Sequence, residues 1–258
     1  MPARGRDAMS VVADRARPAS GGGRPLERLR RRLARPPGRW AKPVVFALLA
    51  APFAWLVYAL LAGELGPDPI EALTHETGEL ALRALLLSLA LTPARLWLRA
   101  AWPVRFRRMV GLFAFFYAAL HVTIWAALDQ ELDLALMVAD VLERPYVLAG
   151  TVAFAILVPL AATSTKGVAR RMGRRWTALH RWVYLAAAAA VVHWAWLAKG
   201  DVLEPWVYFA VLAALLAARF ADLIKGGGDR GGSGDGPSRV SAGPPPEEPR
   251  AVSPAAGP

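Results

Sequence analysis

The sequence predicts an all-α integral membrane protein with six membrane-crossing helices and both chain ends on the cytoplasmic side. Three observations predict it. Hydrophobic residues make up 55% of the 258, with mean hydropathy +0.33, high for a soluble domain and ordinary for a multi-pass membrane protein. The apolar residues fall into six runs, each long enough to cross about 30 Å of hydrocarbon at about 1.5 Å per residue. The connections between those runs alternate in charge.

Residues 1–42 carry twelve Arg/Lys against three acids and read as a basic cytosolic tail drawn to anionic lipid. No apolar run precedes Pro43, so no cleaved leader is expected. The six apolar segments are read at 43–62, 78–98, 109–128, 146–163, 178–198 and 205–224, which makes 43–224 the membrane domain. Pro52 and Pro159 are tolerable inside such helices where neighbours satisfy the freed carbonyls. Several of the ten tryptophans stand near segment ends, where indoles anchor at the interface. From 225 to 258 the chain is Gly/Pro/Ser-rich and expected to be disordered.

The connections orient the segments. Residues 63–79 hold five acids and no Lys/Arg, while 95–108 hold five arginines and no acid. Residues 129–144 hold five acids and only Arg144, while 164–175 hold five Lys/Arg and no acid. Positive loops stay cytoplasmic, so the acidic loops face outward. The net charge of +11 is therefore a topology signal, and no nucleic-acid partner is expected. The chain has no cysteine, which excludes disulfides, cysteine-held iron–sulfur clusters, covalent haem and thiolate-ligated haem. GGGDRGGSG lacks the lysine and the preceding strand of a phosphate-binding loop, and no nicotinamide- or flavin-binding soluble domain is visible.

The chemistry-bearing residues are histidines inside apolar segments. A neutral imidazole in hydrocarbon needs a partner, and haem iron is a leading candidate beside structural hydrogen bonding. His121 lies 13 residues past Arg108 and His193 lies 18 past Arg175, which places both in the outer half of two parallel segments. A faint internal echo pairs them: LALTPARL leads to RRMVGLFAFFYAALH, and PLAATSTK leads to RRWTALHRWVYLAAAAAVVH. Ala114 and Ala118 before His121, and Ala186, Ala189 and Ala190 before His193, leave room for a flat macrocycle or for close helix packing. His180 lies near the cytoplasmic face and is rotated about 220° from His193 on an ideal helix. It is read as ligating a second haem with a non-histidine partner, or as lining a flavin or quinone site. His75, in LTHETGE, is expected in the outer loop and solvated. Arg83 lies about one turn inside its segment, with haem propionates or Glu79 as alternative partners.

The stretches TGELALRALLLSLALTP (77–93), RRMVGLFAFFYAALH (107–121), ERPYVLAG (143–150), PLAATS (159–164) and RRMGRRWTALHRWVYL (170–185) resemble the MsrQ family over residues 43–224. These are haem-binding membrane subunits of the bacterial methionine sulfoxide reductase system, related to the ferric reductase and NADPH oxidase membrane domain. The resemblance implies haem b and FMN in a multi-pass protein of the bacterial inner membrane. Electrons would come from the quinone pool or a cytosolic flavin reductase and pass to a periplasmic molybdopterin-containing partner that reduces methionine sulfoxide in oxidised proteins. The chain would then be an electron-transfer subunit, with substrate chemistry on the partner. Motif matching puts His121 and His193 in one haem pair. The counterpart of His180 falls near Arg107 or Arg108, so the haem number stays open. Arg170, Arg171, Arg174 and Arg175 would offer a cofactor phosphate its countercharge. A metal reductase of the same membrane fold and a haem-free transporter are the rival readings.

Overall fold

The computed structural model describes residues 37–197 and 203–228. Most of the basic tail and the stretch from 229 onward lie outside the described residues, and the expectations for them lie there too. The chain divides into two units, residues 1–219 and 220–258. Of the second, only the end of one helix is described.

Among the described residues nine α-helices follow in order: α1 (Ala41–Ala62), α2 (Pro69–Leu98), α3 (Val104–Ile124), α4 (Leu134–Glu143), α5 (Pro145–Ala162), α6 (Lys166–Met172), α7 (Arg174–His180), α8 (Val183–Leu197) and α9 (Glu204–Gly228). The described residues contain no strand. Among the described residues four helices are long and apolar enough to cross a membrane: α1, α2, α5, and α3 with the wide π turn Trp125–Asp129 that continues it. The fifth expected segment is divided. Its residues 178–198 begin inside α7, and Arg181 and Trp182 bond three residues back, to Ala178 and Leu179, before α8 starts. The sixth lies in α9, whose apolar part is Pro205–Ala221.

The helix boundaries correct the sequence reading in three places. α2 begins at Pro69 rather than 78, because Asp68 caps it by accepting from Glu71 N at 3.0 Å and Pro69 takes the first turn. His75 is therefore on a helix, not in a loop. α3 begins at Val104 rather than 109. The acidic connection 129–144 contains α4, whose N-cap Asp133 accepts from Ala135 N at 2.7 Å.

Burial separates lipid-facing from central helices. Only Leu56 and Ala59 of α1 are buried, and Trp55 and Leu61 stand 58% and 82% exposed. An apolar face that bare is unsuited to water and suited to hydrocarbon. α2 is the opposite, with nine buried residues from Leu73 to Leu98. It packs against α3 and α8, while α8 packs against α5. Ala114, Ala186, Ala187 and Val191, all 0% exposed, let those helices approach closely. Two buried hydroxyls are satisfied within the bundle, Thr77 donating to Leu73 O at 2.6 Å and Ser88 to Arg107 O at 3.2 Å, whereas the buried Thr92 hydroxyl has no hydrogen-bond partner. Tyr117 donates to Leu49 O at 2.6 Å, beside the Leu48 carbonyl that Pro52 leaves without a helical donor.

Candidate functional site

His121 from α3 and His193 from α8 come together with ring centres 6.1 Å apart and planes at 75°. Each ring is held the same way. Nδ1 of His121 lies 2.9 Å from the Thr74 carbonyl, and Nδ1 of His193 lies 2.6 Å from the Tyr146 carbonyl. A carbonyl only accepts, so each Nδ1 carries the proton and donates. That leaves Nε2 of each ring with its electron pair free for a metal. Behind each imidazole is a glycine: Gly78 against His121 and Gly150 against His193. Thr74, Gly78 and His121 thus recur 72 residues later as Tyr146, Gly150 and His193.

The pair fits iron in a macrocycle. Two metal–imidazole bonds of about 2 Å, plus about 1 Å from each nitrogen to its ring centre, put the centres about 6 Å apart. Among the described residues no group of three or more His, Cys, Asp or Glu is placed to hold a metal ion. An iron held between these two rings would need its remaining ligands from a bound group such as a porphyrin. The two histidines line a cavity of about 970 Å³, within the range of cofactor sites. Ala118 and Ala190, expected to leave room for a flat group, line it, whereas Ala114 and Ala186 are packed into the core.

The other expected site residues are placed apart from the pair. His180 does not line the cavity. Its ring stacks on Trp176 at 3.9 Å and 26°, and its Nδ1 lies 3.1 Å from the Trp176 carbonyl. Its Nε2 is buried and makes no hydrogen bond. The 72-residue offset carries His180 back to Arg108, so no second imidazole answers it on α3. Arg83 pairs with Glu79, one of the two partners considered, and its Nε donates to Tyr208 OH at 3.2 Å. Tyr208 in turn donates to Glu79 at 3.1 Å. Arg83 is not among the cavity-lining residues; Arg144 is, ion-paired with Asp140 at 3.0 Å. His75 is exposed, lines the cavity and sits edge-on to Trp194 at 6.3 Å. Arg170, Arg171, Arg174 and Arg175 are all exposed on α6 and α7.

Sequence reasoning missed Thr74, Tyr146, Gly78, Gly150, Arg144 and Tyr208. The repeat would have found the first four. Aligning His121 with His193 superposes Gly78 on Gly150, two glycines inside helices.

With this geometry in place, comparison with known proteins is informative. The family described as ferric reductase like transmembrane component matches residues 77–191. The protein-methionine-sulfoxide reductase heme-binding subunit MsrQ of Rhodospirillum rubrum is 45% identical over 188 residues, 72% of this chain and 90% of the relative. Its counterpart in Deinococcus radiodurans is 46% identical over 185 residues, 71% of this chain and 91% of the relative. That of Polaromonas naphthalenivorans is 43% identical over 182 residues, 69% and 83%. No solved structure matches. Identity of this extent, across nearly the whole length of those relatives, means that the chain belongs to the MsrQ family of ferric reductase-like membrane proteins.

Proposed function

We propose that this protein is the membrane electron-transfer subunit of a methionine sulfoxide reductase system, with haem b held between His121 and His193. The observation that carries the proposal is the pair of opposed imidazoles, 6.1 Å apart, each with Nδ1 on a backbone carbonyl. The relatives, named as heme-binding subunits, support it. Bound haem supplies a one-electron carrier whose potential follows axial ligands, burial and nearby charge. The protein's part is to hold both rings in one tautomer, to exclude bulk water with the α2, α3, α5 and α8 core, and to set the charge around the cavity.

Six crossings with both ends cytoplasmic put the haem pair near the outer face of the bacterial inner membrane. The exposed arginines at 170, 171, 174 and 175 then lie at the cytoplasmic face, where they offer FMN phosphate its countercharge. Electrons enter there from the quinone pool or a cytosolic flavin reductase. They leave at the acidic end to a periplasmic molybdopterin-containing partner, which carries out the reduction of methionine sulfoxide. His180, with its unsatisfied Nε2, is the candidate ligand of a second group at the basic end.

The test is a reduced-minus-oxidised spectrum of membranes holding the full chain. A b-type spectrum that disappears in His193→Ala is expected. An unchanged spectrum in that variant removes the pairing, and absence of any haem band in the native protein favours the haem-free transporter. Reduction of soluble ferric iron in place of the partner protein would favour the metal reductase.

A further inference from the structure

The geometry points to Gly78 and Gly150 as a matched pair of positioning residues that, with the Thr74 and Tyr146 carbonyls, set the tautomer and the plane of each imidazole; this rests on the haem reading above. Both glycines lie inside long helices, α2 and α5, where glycine is less favourable than alanine. Neither has a positive φ, so backbone conformation does not require glycine there. Close approach does. A Cβ on Gly78 would stand 3.0 Å from Nδ1 and 3.1 Å from Cε1 of His121. A Cβ on Gly150 would stand 2.9, 3.0 and 3.2 Å from Nδ1, Cε1 and Cγ of His193. At both positions the nearest atoms belong to the imidazole alone, whereas at Gly111 the neighbour is Ser88 Oγ at 3.3 Å. Helix packing by itself would not single out the two histidines.

The arrangement has a simple cause. In an α-helix the carbonyl of residue 74 receives the N–H of residue 78, and that of 146 receives the N–H of 150. Each imidazole shares that carbonyl, and it reaches it only across the space where the side chain of residue 78 or 150 would stand. Glycine opens the path, and the carbonyl then fixes how the ring is turned. Because the same device acts on both rings, the interplanar angle of 75° is a product of the two glycine–carbonyl pairs together.

Electron paramagnetic resonance tests this on the purified full chain, because the low-spin ferric signal depends on the angle between axial imidazole planes. The native protein is expected to give the highly anisotropic signal of near-perpendicular ligands. Gly78→Ala and Gly150→Ala should each shift that signal toward a rhombic or high-spin form. Haem retention against apomyoglobin should fall about tenfold or more, the scale of lost support around a metal ligand. Gly167→Ala, where nothing stands within 4 Å of the added Cβ, should change neither readout. A native protein with no low-spin signal would overturn the haem reading itself. Native-like g values in both alanine variants would overturn only the glycine pair. A second measurement does not depend on those variants folding: His121→Gly supplied with free imidazole or with 1-methylimidazole. Imidazole can donate to the Thr74 carbonyl and the methylated ring cannot, so imidazole should restore the low-spin signal at about tenfold lower concentration. Equal rescue by the two would overturn the carbonyl anchor.

Discussion

At the acidic end of the bundle both halves of the 72-residue repeat supply an imidazole, a glycine behind it and a carbonyl to hold it. At the basic end only the second half supplies an imidazole, with no glycine against it and a carbonyl of its own helix as its partner. His180 rests on Trp176, its Nε2 has no hydrogen bond, and Arg108 stands where the repeat would place a second histidine. On the proposed reading, the matched pair of rings, with centres 6.1 Å apart, is a haem site formed in advance. A single ring stacked on an indole is held by its own helix and gives no such pair. The comparison teaches that not every histidine inside an apolar segment is held alike; what sets the acidic-end pair apart is that each ring's Nδ1 is held by a neighbouring helix.

The largest effect expected from breaking the comparison is loss of either acidic-end ring. His121→Ala or His193→Ala removes one axial ligand outright, and haem content by pyridine haemochrome should fall to about a tenth or less of native, beyond the loss from altered support alone. The glycine substitutions come next, with retained but reoriented ligation. Arg144→Ala should follow. It removes the cation that lines the cavity, so the reduced form loses a favourable charge and the midpoint potential should fall by tens of millivolts, about 59 mV marking a tenfold change for one electron. Arg83→Ala should move the potential less, since both arginines are ion-paired but only Arg144 lines the cavity; equal shifts in the two variants would show that cavity lining does not matter. His180→Ala should leave the low-spin signal of the acidic-end pair unchanged, and a changed signal would mean the two ends are coupled. The smallest effect is Tyr208→Phe. It cuts the hydrogen bonds that link α9 to Arg83 and Glu79, each worth about 0.6 kcal/mol in a membrane bundle, and should lower the unfolding midpoint in detergent without altering the haem spectrum.

Much of the fold was legible because hydrocarbon is a demanding solvent. Long apolar runs and the alternating charge of their connections follow from it directly. The start of α2 was misplaced because the acids at 71, 76 and 79 read as a loop. The Asp68 cap and the proline at the first position carry the helix through them. α4 was passed over for a similar reason: acidic residues hid a short helix whose apolar residues Leu134, Leu136 and Leu142 are exposed. The turn dividing α7 from α8 left no mark, since Arg181 and Trp182 are neither glycine nor proline. At the site, His121 and His193 were found by depth and echo. Arg83 stands against Glu79, one of its two expected partners, and Tyr208 joins them from a helix more than a hundred residues away.

By itself the sequence determined the solvent of this protein, the alternation of its acidic and basic ends, and which two imidazoles share a level. Those properties depend on composition and on spacing along single helices. Only the tertiary structure decided that the two rings stand 6.1 Å apart, that each is pinned through Nδ1, and that two glycines make the pinning possible. The reason is physical: a ring's rotation is set by atoms that approach it from another helix, and no spacing within one helix encodes that approach.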